Sequence, residues 1–415
     1  MTADEQQELE PFRALMRESH LLAPHDIPDL VARHAVAVGL RDSLIYLTDL
    51  QQQVLVPFRS APGPEDARRP AVLGVESTLA GRAFQHIDVV TQDLDSADRR
   101  IWMPLLNGTE RLGVLAATVD RTAGLGEDST SGRRLRLFAS MVAELVMTKT
   151  LYGDAIVQLR RTAPMGLAAE IQWSMLPPLT FTNERVSVAA ALEPAYEVAG
   201  DSVDYSVDPD AARLAVFDGM GHELASSQLV GLVVAAYRNA RRGRQTLAQT
   251  SAYIDEVVTS AFKGEGFVTG VLAELDLGTG TLDWVSAGHP SPLLLRHGRL
   301  VRALEVQPRL PFGLGLEGGE HDPPLRVGTE HLEPGDYVLL YTDGVIEARS
   351  PLGELFGVER LTDLMLRSLS AGLSAAESMR RAVSALLKHQ GGSLRDDATM
   401  LLAQWQPEHP DSVLP

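Results

Sequence analysis

Two rhythms of apolar and polar positions run along the 415-residue chain, and they predict its elements. Residues 1–20 carry apolar side chains at helical spacing and predict one amphipathic helix. From about 28 to 120, short strands and helices alternate. SLIYLTD (43–49) and QQVLVPFRS (52–60) predict a hairpin, and STLAGRAFQ (77–85) a short helix with Ser77 as its cap. DVVTQD (88–93), RIWMPLLN (100–107) and ERLGVLAATVD (110–120) complete an antiparallel sheet, closed by the polar, glycine-rich loop 121–132. A long helical segment follows. Phe138, Val142, Leu145, Lys149, Tyr152, Ile156 and Leu159 form a heptad-like seam with one polar interruption, which Pro164 ends or kinks. The seam either packs on the preceding domain or joins two copies in a parallel coil. A further helix, GLAAEIQWSML (166–176), stops at Pro177-Pro178.

From 185 onward the strand rhythm returns. RVSVAAALEPA (185–195), VDYSVD (203–208), RLAVFD (213–218), VTGVLAELD (268–276), TLDWVSAG (281–288), DYVLLYTD (336–343) and TMLLAQW (399–405) predict successive strands, with LLLRHGRLVRAL (293–304) a hairpin turning at His-Gly. Helical blocks at 223–262 and about 358–390 interrupt them, an order that two sheets flanked by helix pairs would explain. Residues 305–330, with Pro308, Pro311, Pro323 and Pro324, read as an irregular loop bordering the site, and the tail 407–415 as disordered.

Length and composition narrow the class. The chain is too long for one ordinary core, and five segments are expected: 1–20, 21–133, a linker 134–178, 179–406 and the tail. A formal charge of −18 makes nucleic-acid binding a poor expectation. With no cysteine there are no disulfides, thiolate zinc sites or cysteine nucleophiles, which fits a reducing compartment. No apolar window is long enough to cross a membrane and the first residues lack a signal-peptide centre, so a cytoplasmic protein is expected.

The informative chemistry lies where apolar strands end on acids. LAVFDGMGHE (214–223) and VLLYTDGVIEA (338–348) both run from strand to Asp-Gly. Asp201, Asp218, Asp343, Asp396 and Asp397 all stand at such ends. A rigid strand end aims a short carboxylate, and several carboxylates in one place need a cation to stay ionised. Oxygen donors without cysteine favour Mg²⁺ or Mn²⁺ over Zn²⁺. A pair of such ions activates water and clamps a phosphoryl group. The glycine after Asp218 leaves room for a backbone carbonyl to approach a metal. Taken singly, each Asp-Gly is a turn dipeptide. Asp204 and Asp283 are expected to face solvent, His222 and His289 are read as structural rather than as general acids, and Arg395 either holds phosphate or neutralises its neighbours.

Seven ordered segments carry a resemblance: IQWSMLPP (171–178), VAGDSVDY (198–205), LAVFDGMGH (214–222), VSAGHPSPLLL (285–295), LPFGL (310–314), GDYVLLYTDGVIEARSPLGELFG (335–357) and RDDATMLL (395–402). Together they resemble the metal-dependent protein phosphatases, in the bacterial branch named for stage II sporulation protein E and for regulators of stress-response sigma factors. The resemblance implies an αββα sandwich with two Mn²⁺ or Mg²⁺ ions, hydrolysing phosphoserine or phosphothreonine on proteins. It implies that Asp218 bridges both metals and Gly219 offers its carbonyl, that Asp343 and Asp396 complete one shell, that Asp201 acts near the second ion, and that Asp397 ligates or orients. Three departures stand out: Ala199 for a glycine, Ser202 for an aromatic residue, and Glu223 for a glycine. More loosely, ESTLAGRAFQ (76–85) and MPLLNGTERLGVLAATVD (103–120) resemble a GAF sensor domain.

The expected fold class is therefore an α+β multidomain chain: a GAF-like antiparallel sheet with helices, a helical linker, then an αββα phosphatase sandwich. The expected protein is a homodimeric phosphatase whose sensor answers to a small ligand or partner. Its implied substrate is a phosphorylated anti-sigma-factor antagonist, with no nucleic acid or membrane partner. Two rivals remain at this point: a catalytically silent scaffold that binds the phosphoprotein, and a phosphatase of small metabolites.

Overall fold

The computed structural model describes residues 3–406 except 61–69, 95–96, 127, 194–195, 197–199, 222, 316–324, 393 and 395. The chain divides into two compact units, Met1–Ala163 and Pro164–Val413. The tail expected over 407–415 lies outside the described residues.

The first unit runs α1 (Ala3–Ser19), α2 (Ile27–Ala35), β1 (Arg41–Thr48), β2 (Val54–Phe58), β3 (Leu73–Gly74), α3 (Leu79–His86), β4 (Val90–Asp93), β5 (Asp98–Asn107), β6 (Glu110–Asp120), α4 (Thr130–Thr150) and α5 (Ala155–Arg160). Its strands form one antiparallel sheet in the order β3-β2-β1-β6-β5-β4. Alternation along β1 shows why both faces are covered. Ile45 and Leu47 join the core beneath α1, α2 and α4, while Tyr46 joins Phe84 and Ala83 of α3 on the other face. The α3 cap is Thr78 rather than the expected Ser77, its Oγ1 accepting from the Gly81 N–H at 3.0 Å.

The long helical segment is broken. α4 ends at Thr150 and α5 begins at Ala155, so the interruption falls before Gly153 and not at Pro164. Phe138, Val142, Leu145 and Ile156 of the seam are buried in the first unit's own core, and Lys149 donates to the His20 carbonyl at 3.0 Å. Tyr152 stands out at 71% exposed. Among the described residues no helix is long and apolar enough to cross a membrane.

The second unit runs α6 (Leu167–Met175), β7 (Thr180–Thr182), β8 (Val186–Glu193), β9 (Asp201–Val207), β10 (Ala211–Gly219), α7 (Glu223–Arg242), α8 (Leu247–Phe262), β11 (Val268–Asp276), β12 (Thr281–Ala287), β13 (Leu293–Arg296), β14 (Arg299–Ala303), β15 (Gly328–His331), β16 (Tyr337–Tyr341), α9 (Asp343–Ile346), α10 (Gly357–Ser370), α11 (Ala375–Gln390) and β17 (Ala398–Trp405). Two antiparallel sheets result, five strands in the order β15-β12-β11-β10-β9 and six in the order β14-β13-β16-β17-β8-β7. The polar β15 begins inside the stretch expected to be irregular loop and ends one residue beyond it.

The layering follows from residue parity. On β17, Leu401, Ala403 and Trp405 meet Val203, Leu214, Val216 and Trp284 of the five-stranded sheet, whereas Ala398, Met400 and Leu402 meet α10 and α11. On β10, Leu214 and Val216 face the other sheet while Ala215 and Phe217 pack on α7 and α8. Strands buried on both faces need apolar residues at every position, which is why their sequences read as continuous apolar runs. The second unit is an αββα sandwich.

Candidate active site

β9 begins and β10 ends at the same edge, and their antiparallel register sets Asp201 directly opposite Asp218. Parity sends both carboxylates into the space between the sheets. Asp218 follows Leu214 and Val216, and Asp201 precedes Val203 and Tyr205, all four of which belong to the inter-sheet core. The facing sheet answers with Thr342, just past β16, and Asp397, just before β17. Thr342 Oγ1 donates to Asp201 Oδ2 at 2.7 Å and accepts from the Thr399 N–H at 3.0 Å. Asp397 Oδ2 accepts from the Gly200 N–H and, at 3.1 Å, from the Asp201 N–H. Its Oδ1 is buried and makes no hydrogen bond. Asp343 and Asp396 lie exposed at the rim, where Asp396 Oδ1 takes the Asp397 N–H at 2.9 Å.

The Asp-Gly grammar has a steric cause at both sites. A Cβ on Gly344 would sit 1.9 Å from the Asp397 carbonyl oxygen, so only glycine lets the turn after β16 lie against the start of β17. A Cβ on Gly219 would come within 2.5 Å of Val230 Cγ2. The Gly219 carbonyl accepts from Ser226 Oγ at 3.0 Å, leaving one of its two lone pairs.

The acids repel ionisation. Burial first, then Asp218 and Asp397, hold the Asp201 pKa well above the usual carboxylate range. Burial and the neighbours Asp343, Asp396 and Asp397 push Asp218 up to about 7. Asp397 rises to about 6, chiefly by burial, against the pull of the Gly200 and Asp201 N–H groups. Asp343 is open at the rim, yet partial burial of its carboxyl, with Glu347 and Asp396 beside it, raises its pKa too. Among the described residues no basic side chain pairs with Asp201, Asp218 or Asp397.

The donor chemistry fits a hard divalent cation: oxygen ligands only, mutually destabilised, with an orphaned buried carboxylate oxygen. The carboxylates do not close into a finished shell, for no three described acids or histidines stand at metal-ligand spacing.

Two expectations need correction or completion. Asp204, expected to face solvent, is buried. It follows Ser202 onto the helix-covered face and pairs with Arg238 Nε at 2.6 Å and Arg241 at 3.6 Å, both on α7. Asp283 is half-buried and accepts from Thr329 Oγ1 at 2.6 Å. His222 and Arg395, and the side chain of Glu223, lie outside what the structure describes. Sequence reasoning does not single out Thr342, Ser226, Thr269 or Gln172, whose Nε2 donates to the Asp201 carbonyl. Thr342 and Gln172 lie within the motif segments, and that place is their only signal.

Residues 208–406 match the family model described as stage II sporulation protein E. That match covers most of the C-terminal unit. The match runs from the start of β10 to the end of β17 and takes in Asp218, Asp343, Asp396 and Asp397, whereas β7 to β9 and Asp201 precede it. The phosphoserine phosphatase RsbU of Bacillus subtilis is 25% identical over 239 residues, covering 57% of this chain and 68% of its own. Among solved structures, the SiaA-PP2C domain of Pseudomonas aeruginosa is 22% identical, covering 57% of this chain and 94% of its own at a TM-score of 0.46. The catalytic domain of the serine threonine protein phosphatase PstP, solved with two manganese ions, is 19% identical, covering 54% and 99% at a TM-score of 0.39.

Proposed function

We propose that the C-terminal unit is a metal-dependent protein phosphatase acting on phosphoserine or phosphothreonine. The observation that carries this reading is the meeting of Asp201 and half-buried Asp218 from one sheet with buried Asp397 from the other, without a described basic partner. Asp218, Asp343, Asp396 and the Gly219 carbonyl would hold a pair of Mn²⁺ or Mg²⁺ ions, with Asp201 beside the second ion. When bound, the ions supply charge neutralisation for the phosphoryl group and a water acidic enough to attack it.

The chain's own residues do the rest. Thr342 orients the Asp201 carboxylate, and Asp397, holding the Gly200 and Asp201 N–H groups, fixes the turn that presents it. Which oxygen of the Asp396-Asp397 pair ligates depends on the free Asp397 Oδ1. Retention of all the expected acids in the sequence argues against a silent scaffold, whose only support is Ser202 and Glu223.

The substrate we propose is a phosphorylated anti-sigma-factor antagonist, following the family resemblance and the phosphoserine phosphatase among the relatives. The N-terminal unit would be a GAF-like sensor that regulates the activity in a cytoplasmic homodimer. Met16, Leu21 and Tyr152, exposed around a groove of about 510 Å³ between α1 and α4, support the dimer.

Hydrolysis of p-nitrophenyl phosphate and a phosphoserine peptide, with Mn²⁺, Mg²⁺ or chelator, tests the catalytic reading. Turnover should require metal and fall to the chelated level in both Asp218→Asn and Asp343→Asn. Turnover that survives chelation or either substitution would refute it.

A further inference from the structure

One histidine spans the two sheets beside the acids. β12 ends at Ala287, and Gly288 then takes a left-handed φ of 64°, where a Cβ would press within 2.8 Å of Pro311 Cγ. The turn sends His289 inward, to 7% exposure, and Ser286 Oγ clamps its carbonyl at 3.1 Å. Nδ1 lies 2.9 Å from Thr269 Oγ1. Nε2 is buried without a hydrogen bond of normal geometry, and the Tyr341 backbone lies close enough to the ring to favour its protonated form. Burial favours the neutral ring, lowering its pKa to about 4. A neutral imidazole carries one N–H, and these partners assign it to Nε2, so Nδ1 accepts from the Thr269 hydroxyl.

Both partners lead to the acids. Thr269 stands opposite Asp218 in the β10–β11 register; with its one proton on Nδ1 it holds Asp218 through that strand pairing and not through the Asp218 carbonyl 3.5 Å away. Tyr341 closes β16 in the facing sheet and is followed by Thr342, which holds Asp201, and by Asp343. The ring therefore stands between the strand end that carries Asp218 and the turn that carries Asp343. An ordinary core position would be filled by an apolar residue, since burying an imidazole costs desolvation.

We propose that His289 is a positioning residue of the centre, holding Asp218 and the Asp343 turn at the separation a divalent cation pair requires. It touches neither substrate nor metal and acts through Thr269. The proposal rests on the metal-dependent reading of the site and concerns how well the chain binds the ions.

Mn²⁺ titration calorimetry on the full chain tests it, with unfolding in chelator measured alongside. Removing a partner that orients a ligand commonly weakens metal binding by about 10–100-fold. His289→Ala should show a loss in that range. His289→Asn, whose Oδ1 takes the place of Nδ1, should recover most of it. Thr269→Val should lose as much as His289→Ala, and the double variant no more than either, because both remove one link. Thr269→Val keeps shape and volume, so it decides the matter even where His289→Ala fails to fold. Wild-type affinity in His289→Ala or Thr269→Val, with only stability lowered, would overturn the proposal by making His289 a plain core residue. So would an asparagine variant as weak as alanine. A wild-type chain that binds no Mn²⁺ would instead strike the metal-dependent reading itself.

Discussion

The C-terminal unit buries acids in two different ways. Asp204, Asp336 and Glu377 are each no more than 1% exposed, and each meets arginine: Arg238 and Arg241, Arg296, and Arg380 with Arg381. Asp201, Asp218 and Asp397 are buried or half-buried at one edge of the sandwich and meet mainly one another. In the first group the fold supplies the countercharge, so the carboxylates are structural. In the second it supplies hydroxyl and N–H donors but no described basic side chain, so ionisation is resisted, as the proposed metal site would require. Burial alone does not mark a functional acid. Under the proposed function, the missing basic partner does.

The largest test of that contrast is a pair of substitutions measured by urea unfolding in chelator at pH 7.5. Asp204→Ala strands two arginines against a covered face and should cost about 3–5 kcal/mol, the usual penalty for breaking a buried ion pair. Asp201→Asn removes a charge the metal-free fold disfavours while keeping an acceptor for Thr342, and should be neutral or stabilising. Equal losses in the two variants would erase the distinction.

Much of this contrast is legible in the amino-acid sequence. The acid-ended strands, the Asp-Gly turns and the two sheets follow from apolar runs that stop abruptly on polar residues. The pairing of Asp204 does not, because VDYSVD alternates and either face could be the wet one. Only the packing of α7 over the outer face buries Asp204, and that depends on residues more than thirty positions away. The cap of α3 falls one residue from its expected place because Ser77 and Thr78 are chemically equivalent caps. The strand β15 escapes sequence reading because its four residues are half-buried or exposed and carry no apolar alternation. The seam of α4 is visible, but spacing alone cannot say whether a partner helix or the unit's own sheet fills it.

A smaller effect follows from pH. The folded-state pKa of Asp218, about 7, lies above its unfolded value near 3.8. Its protonated form therefore favours folding below the unfolded pKa, and this contribution is lost as pH rises through about 7. His289 works the other way, its depressed pKa costing stability as pH falls from 6.5 towards 4. Comparing wild type with Asp218→Asn cancels the histidine. In chelator, the variant's advantage in Tm should grow between pH 5 and 8. One pKa unit is worth about 1.4 kcal/mol, and the half-buried position of Asp218 discounts the full shift, so about 1–2 kcal/mol is expected. An advantage independent of pH would mean that the acids do not feel one another. Mn²⁺ should reverse the trend for wild type alone, because binding requires the ionised carboxylates.

The smallest effect concerns a polar neighbour of the cluster. Ser226 is 1% exposed, and its hydroxyl donates to the Gly219 carbonyl at the end of β10. Ser226→Ala removes that bond and leaves a small apolar gap, a loss of about 1 kcal/mol in chelator. Because a carbonyl oxygen has two lone pairs, the serine and a cation need not compete for Gly219. Metal-dependent turnover in Ser226→Ala should therefore stay close to wild type, while thermal unfolding shifts down slightly. A large fall in turnover at this small structural cost would mean that the hydroxyl aims the carbonyl at its ion. The boundary between the two kinds of buried polar group would then lie one residue further out than the carboxylates themselves.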